Sequence, residues 1–156
     1  MPANTLVRDV MSANPVTLRA DQAITEAADV LAEHGYGAMP VVDDAGQLLG
    51  LLSDEDLIVS EARVHAPTFF NQFSTVIPLP GQMKQFEEEI HKIAGSTVGE
   101  VMDEDPVTIR PEDTLEELAT RMHEADVSHI PVVDGDGRVV GIVARGDVVR
   151  YIARTT

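Results

Sequence analysis

Two short stretches carry side chains whose types and spacing could do chemistry: Gly50-Leu51-Leu52-Ser53-Asp54-Glu55-Asp56 and Gly141-Ile142-Val143-Ala144-Arg145-Gly146-Asp147. Each ends an apolar run and opens a helical one, so its polar residues sit where backbone N–H groups are unpaired and an anion is favoured. Arg145 and Gly146 add a forked donor and a backbone bare enough for close approach. This is the expected site for a phosphate. Asp54, Glu55 and Asp56 instead crowd three carboxylates at one helix start, which repel an anion unless a divalent cation intervenes. A plainer role competes: Ser53 with Asp56 three residues on also reads as a capping box. Ala144 lacks that hydroxyl while Asp147 remains, and an acid at the third helical position gains little from the helix dipole. Capping and ligand binding both stand open for the two acids.

The elements that must position them come in two copies. Met39-Pro40-Val41-Val42-Asp43-Asp44-Ala45-Gly46 returns as Ile130-Pro131-Val132-Val133-Asp134-Gly135-Asp136-Gly137, at the same 91-residue offset that separates Asp56 from Asp147. Upstream, Val7-Arg8-Asp9-Val10-Met11 and Pro15-Val16-Thr17 return as Val98-Gly99-Glu100-Val101-Met102 and Pro106-Val107-Thr108 with no gap. Duplication is the reading for so long a repeat. Ile24, Ala27, Ala28 and Leu31, like Leu115, Leu118, Ala119 and Met122, fall at helical spacing, with Asp21 and the Asp113/Glu116 pair as expected caps. Each half therefore reads strand, helix, strand, turn, strand, helix. A half of roughly 55 residues has too little core to stand alone, so the halves should pack together. The boundaries are expected at 1–63 and 98–156, with an insertion at 64–97. That insertion holds Phe69, Phe70 and Phe73 and an amphipathic helix from about Gln82 to Ala94, which covers either its own halves or a second copy.

Composition narrows the function. The chain has 27 acids against 11 bases, a net charge of −16 and no cysteine. A field of that sign opposes nucleic acid and anionic lipid. No apolar run approaches the roughly 18 residues of a membrane span, no signal peptide is evident, and the lack of cysteine fits a cytoplasmic setting. His34, His65, His91, His123 and His129 form no metal-ligand spacing, and no Walker loop, dinucleotide fingerprint or nucleophile elbow occurs. An enzyme is not expected.

The sequence resembles the tandem CBS-domain family, named after cystathionine beta-synthase. The resemblance rests on Met11 and Met102 before Pro-Val-Thr, the Pro-Val-Val-Asp strands, Gly50 and Gly141, and Asp56 and Asp147. It implies an α/β (α+β) fold in which two tandem β-α-β-β-α repeats pack as a pseudo-two-fold pair, often dimerising into discs. It also implies a stand-alone regulatory module that binds an adenosine ligand (AMP, ADP, ATP or S-adenosylmethionine, with or without Mg2+) and requires no cofactor. Gly50 to Asp56 matches the family's ligand motif in full, whereas the second copy departs from it at Ala144. By this resemblance Asp56 and Asp147 meet the ribose hydroxyls, with Ser53 beside the first. Thr17, Ala38, Met39, Pro40, Thr108, His129, Ile130 and Pro131 line the base. Arg145 is expected to hold the phosphate at the Asp147 site, leaving the Asp56 site empty, or filled by an uncharged-tail ligand or a metal-bound nucleotide. The alternative is a ligand-free scaffold acting through homodimerisation. The regulated partner is not legible.

Overall fold

The computed structural model describes residues 4–59 and 96–155. The phenylalanine cluster and the expected helix over 82–94 lie outside them. A 3-10 turn at Val7–Asp9 leads into β1 (Ser12–Ala13), β2 (Leu18–Arg19), α1 (Ile24–His34), β3 (Ala38–Val42) and β4 (Leu48–Ser53), and residues 54–59 open helix α2. The second half runs α3 (Val98–Val101), α4 (Leu115–Ala125), β5 (His129–Val133), β6 (Val139–Ala144) and α5 (Arg145–Thr155).

The two helices with clear apolar periodicity form as expected, each laying one stripe on a sheet. Ala27 and Leu31 of α1 are buried, as are Leu115, Leu118 and Met122 of α4. Both stop in a left-handed residue, Gly35 (φ 67°) and Asp126 (φ 51°). Their starts differ from expectation by a residue or two. The α4 box is Thr114 with Glu117, whose side chains exchange bonds with each other's backbone N–H. Asp113 is diverted because its Oδ2 accepts from the Arg110 N–H at 2.9 Å. The first residue before α1 is Ala23, with no side-chain cap, so Asp21 does not serve. Both hairpins turn on a glycine of positive φ, Gly46 at 82° and Gly137 at 83°. Asp43 Oδ1 gathers the Ala45 and Gln47 N–H groups, each at 2.9 Å, and Asp134 does the same in the second copy.

Each half has its own core, but each core is closed by the other half's lead-in. Val7 packs with Ile109, Leu115, Leu118, Ile130, Val132 and Val143 of the second half. Val98 packs with Leu18, Ala27, Leu31, Met39, Val41 and Leu52 of the first. The backbone follows the same exchange. β1 pairs antiparallel with β6, giving the order β1-β6-β5, while β2-β3-β4 form the other sheet. In the mirrored position Leu51 bridges Asp103. The Val7 N–H reaches Asp113 O at 2.8 Å, and the Val98 N–H reaches Gln22 O at 2.9 Å. At the far end the hairpin turns join reciprocally: the Leu48 N–H donates to Gly137 O and the Val139 N–H to Gly46 O, both at 3.1 Å.

This crossing explains the glycine and methionine repeated in both copies. A Cβ on Gly141 would lie 2.5 Å from Met11 Sδ, and one on Gly50 would lie 2.5 Å from Asp103 O and 2.6 Å from Met102 Sδ. Neither glycine has a positive φ; they are needed so that the crossing segment can lie flat on the strand. Gly50→Ala and Gly141→Ala should each cost about 1–3 kcal/mol by overpacking. Gly135→Ala, whose nearest neighbour would be Arg110 Nη1 at 3.5 Å, should stay within about 0.5 kcal/mol of the parent. Urea unfolding of the three variants makes the comparison.

Candidate functional site

The exchange leaves a crevice on either side of the pseudo-two-fold axis. One, of ≈ 340 Å³, lies between the Asn14-Pro15-Val16 segment, the Tyr36-Gly37-Ala38 turn and the start of α5, where Ala144, Asp147 and Arg150 line it. The other, of ≈ 400 Å³, is lined by Leu51, Ser53, Glu55 and Asp56 from the first half and by Asp103 and Asp126 to His129 from the second, with Arg145. Both fall in the size range of small-molecule sites, about 300–1,000 Å³. Ala38 and His129, which correspond through the repeat, line both crevices and form the wall between them.

The two acids are held alike by one oxygen. Asp56 Oδ2 accepts from the Ser53 N–H at 3.0 Å while Ser53 Oγ accepts from the Asp56 N–H at 3.2 Å, a complete capping box. Asp147 Oδ2 accepts from the Ala144 N–H at 2.8 Å, which is half of that box. The second oxygens differ. Asp147 Oδ1 takes the Arg150 guanidinium at 2.5 Å. Asp56 Oδ1 has no donor among the described residues. The acids therefore cap their helices and keep acceptor capacity at a crevice, since each carboxylate oxygen carries two lone pairs.

The sequence-derived residues separate in this geometry. Ala38, Pro40, His129 and Asp147 meet in the first crevice, and Ala38, Ser53, Asp56, His129 and Arg145 in the second. Met39 and Ile130 point the other way, 1% and 0% exposed in the two cores, because neighbours along a strand alternate faces. Neither crevice is lined by Thr17 or Pro131. Thr108 lines a separate cavity with Arg110, Asp113 and Arg121, and its carbonyl oxygen accepts from Arg121 Nη1 at 2.6 Å. Arg145 also departs from expectation. It faces the Asp56 crevice and pairs with Asp126 at 3.4 Å, and the cation beside Asp147 is Arg150. Two residues along a helix turn the side chain by about 200°, whereas three bring it back to the same face. That spacing was the available signal for Arg150. Nothing local in the sequence marked Tyr36, Asp103 or Asp126 as crevice residues.

His129 stands at the join. Its ring packs on Gly37, where a Cβ would lie 2.8 Å from Cε1, and its Nδ1 shares a hydrogen bond with Ser128 Oγ at 2.9 Å. Burial pushes its pKa below the ordinary 6.5, against the raising pull of Asp54 and Asp147, and Arg145 lowers it further. No group of three or more His, Cys, Asp or Glu among the described residues is arranged to hold a metal ion, and no helix there is long and apolar enough to cross a membrane.

A family model of the CBS domain matches residues 7–62 and again 98–154. The chain belongs to the CBS-domain family. It is 32% identical over 128 residues to the chloroplastic CBS domain-containing protein CBSX2 of Arabidopsis thaliana, covering 81% of this chain and 54% of that one. It is 30% identical over 142 residues to the CBS domain-containing protein YhcV of Bacillus subtilis, covering 91% and 81%. An L-aspartate semialdehyde sulfurtransferase of Methanocaldococcus jannaschii is 29% identical over 146 residues, which is 94% of this chain and 23% of the enzyme. The chain thus spans about half the length of the plant relative and about a quarter of the enzyme. Among solved structures, CBSX2 in complex with AMP superposes with a TM-score of 0.77 at 27% identity, covering 97% of this chain and 98% of that one. The CBS domain pair of protein MJ0100, in complex with 5′-methylthioadenosine and S-adenosyl-L-methionine, superposes at 0.71 and 28% identity, covering 95% and 99%. The CBS pair fold, with its two small sheets and flanking helices, is shared throughout.

A folded-state pKa below the unfolded value means that the unfolded chain binds more protons in the interval between them, so stability rises with pH there. The His129 contribution is complete above its ordinary 6.5 and is lost as pH falls through the depressed folded value. Urea unfolding at about pH 7.5 and about pH 5.5, compared between the parent and His129→Gln, should show the parent losing more on acidification. Subtracting the variant cancels the background of titrating carboxylates.

Proposed function

We propose that this CBS pair is a non-catalytic regulatory module that binds an adenosine ligand between its repeats and passes occupancy to a partner. The observation that carries the reading is the paired acid. Each crevice presents a carboxylate with one oxygen fixed by its own helix start and acceptor capacity left beside a small-molecule-sized cavity. Such a group suits two adjacent ribose hydroxyls, and bonds to a charged acceptor are the stronger kind. In the Asp147 crevice, Pro15, Val16, Tyr36 and Ala38 supply apolar cover for a base, and Arg150 supplies the cation for a phosphate. The adenosine ligands bound to CBSX2 and to the MJ0100 pair support the same class. Occupancy would act by favouring one arrangement of the two halves over others. Whether magnesium accompanies the ligand is an arm of the same test.

The test is a thermal-shift and calorimetry panel of AMP, ADP, ATP and S-adenosylmethionine, with and without Mg2+. Stabilisation should grow with ligand concentration. Asp147→Ala should weaken AMP by about tenfold or more, the loss of a charged hydrogen-bonding partner being worth about 1.5–3 kcal/mol. A panel with no response refutes the ligand reading.

A second reading, association with a second copy, is favoured by one observation. Ile58 is 66% exposed and Val149 64% exposed, at corresponding positions of α2 and α5, and large apolar side chains so placed mark contact surfaces. A homodimer through these helices should dissociate in Ile58→Asp/Val149→Asp. Sedimentation velocity reads the outcome, and an unchanged mass excludes this face.

A further inference from the structure

The two crevices share a repeat-related framework, in which Ser12, Gly35 to Ala38, Ile142, Ala144 and Asp147 are answered by Asp103, Asp126 to His129, Leu51, Ser53 and Asp56. Of the exchanges at and beside them that involve charge, all but one move it in the same direction. Where the Asp147 crevice has Ser12 and Gly35, the Asp56 crevice has Asp103 and Asp126. Gly146 at the start of α5 is answered by Glu55 at the start of α2, and Arg150 is answered by the apolar Val59. One exchange opposes the trend, with Arg145 answering Asp54. Arg145 is tied to Asp126, while Asp54 lies towards Gly37 and His129. Among the described residues the Asp56 crevice thus sets four carboxylates against one guanidinium. The lining of the Asp147 crevice sets one carboxylate against one guanidinium, the two paired at 2.5 Å, with the Asp54 carboxylate behind its Gly37 edge.

Resting on the adenosine reading above, the geometry points to two crevices that sort adenosine ligands by the charge of the 5′ tail. An anionic phosphate tail goes to the Asp147 crevice, and a cationic tail, such as a sulfonium carrying an ammonium group, goes to the Asp56 crevice. The ribose meets a carboxylate in both, because Asp56 and Asp147 are each anchored to their own helix start through Oδ2. The tail meets Arg150 in one crevice and the carboxylates of Glu55, Asp103 and Asp126 in the other. A phosphate in the Asp56 crevice faces those carboxylates with only Arg145 to offset them. A cationic tail in the Asp147 crevice meets Arg150 and finds Asp147 already paired. Because Asp126 and Arg145 are largely exposed, the sorting is an electrostatic preference that weakens with salt.

Calorimetry and methyl NMR on the full chain test this with three probes: AMP, S-adenosylmethionine and the neutral-tailed 5′-methylthioadenosine. The Ile142 methyls report the Asp147 crevice and the Leu51 methyls report the Asp56 crevice. Expected is simultaneous binding, with AMP moving the Ile142 signals, S-adenosylmethionine the Leu51 signals, and neither displacing the other. Replacing residues by their counterparts should change one ligand only. Asp103→Ser/Asp126→Gly should weaken S-adenosylmethionine by about fivefold, two largely exposed charge contacts being lost, with AMP within about twofold. Arg150→Val should weaken AMP by about tenfold and leave S-adenosylmethionine unchanged. Glu55→Gln is the alternative variant if the double replacement does not fold, with the same sign expected. Mutual displacement from one crevice, or equal loss of both ligands in every variant, overturns the sorting while adenosine binding stands. No binding of any probe overturns both.

Discussion

The structure depends on a trade of lead-in segments between two half-domains. Neither half closes its own core: Val7 fills the second and Val98 fills the first, both at 0% exposure. A half-domain of this size buries too little apolar surface to stand alone, and the trade makes each half's stability conditional on the other. It also fixes where the crevices are. The segment that crosses to pair with β6 or to bridge Leu51 goes on to form a crevice wall, Asn14 to Val16 on one side and Asp103 on the other. The glycines that admit the crossing lie on the same strands that end in Ser53 and Ala144, at the helix starts that line the crevices.

The pseudo-two-fold axis makes the sites a pair, and departures from it make them different. Anchoring through one carboxylate oxygen is common to both acids, so capping a helix and facing a crevice are one arrangement used twice. Sequence drift since duplication has acted on the surroundings. His129 occupies a position where the other repeat has Ala38, and since both line both crevices, this one difference between the repeats shapes both crevices. Its ring is neutral by preference because burial outweighs the nearby carboxylates.

Much of this was legible in the chain. The repeat, the helical stripes of α1 and α4, and the Asp-to-Gly hairpin turns are local patterns, and each appears where periodicity or turn chemistry puts it. The acid at each helix start was legible too, including its capping role. What the chain did not show locally is the direction in which a side chain points. Met39 and Ile130 border the residues that line the wall, yet strand alternation turns them into the cores. Arg145 adjoins the phosphate-favouring glycine in sequence but lies across the helix from Asp147. Thr17 and Thr108 sit beside the crossing segments without reaching either crevice.

By itself the sequence determined the duplication, the elements of each copy and the two acids, because these follow from spacing within one strand, turn or helix. Only the tertiary structure decided that the lead-ins trade places, that Ala38 and His129 form a common wall, and that Arg150 rather than Arg145 stands beside Asp147. These depend on contacts between residues far apart in the chain, such as Val7 with Leu118 and Ser12 with Ile142. No local pattern encodes such contacts; they are set by how two incomplete cores complete each other.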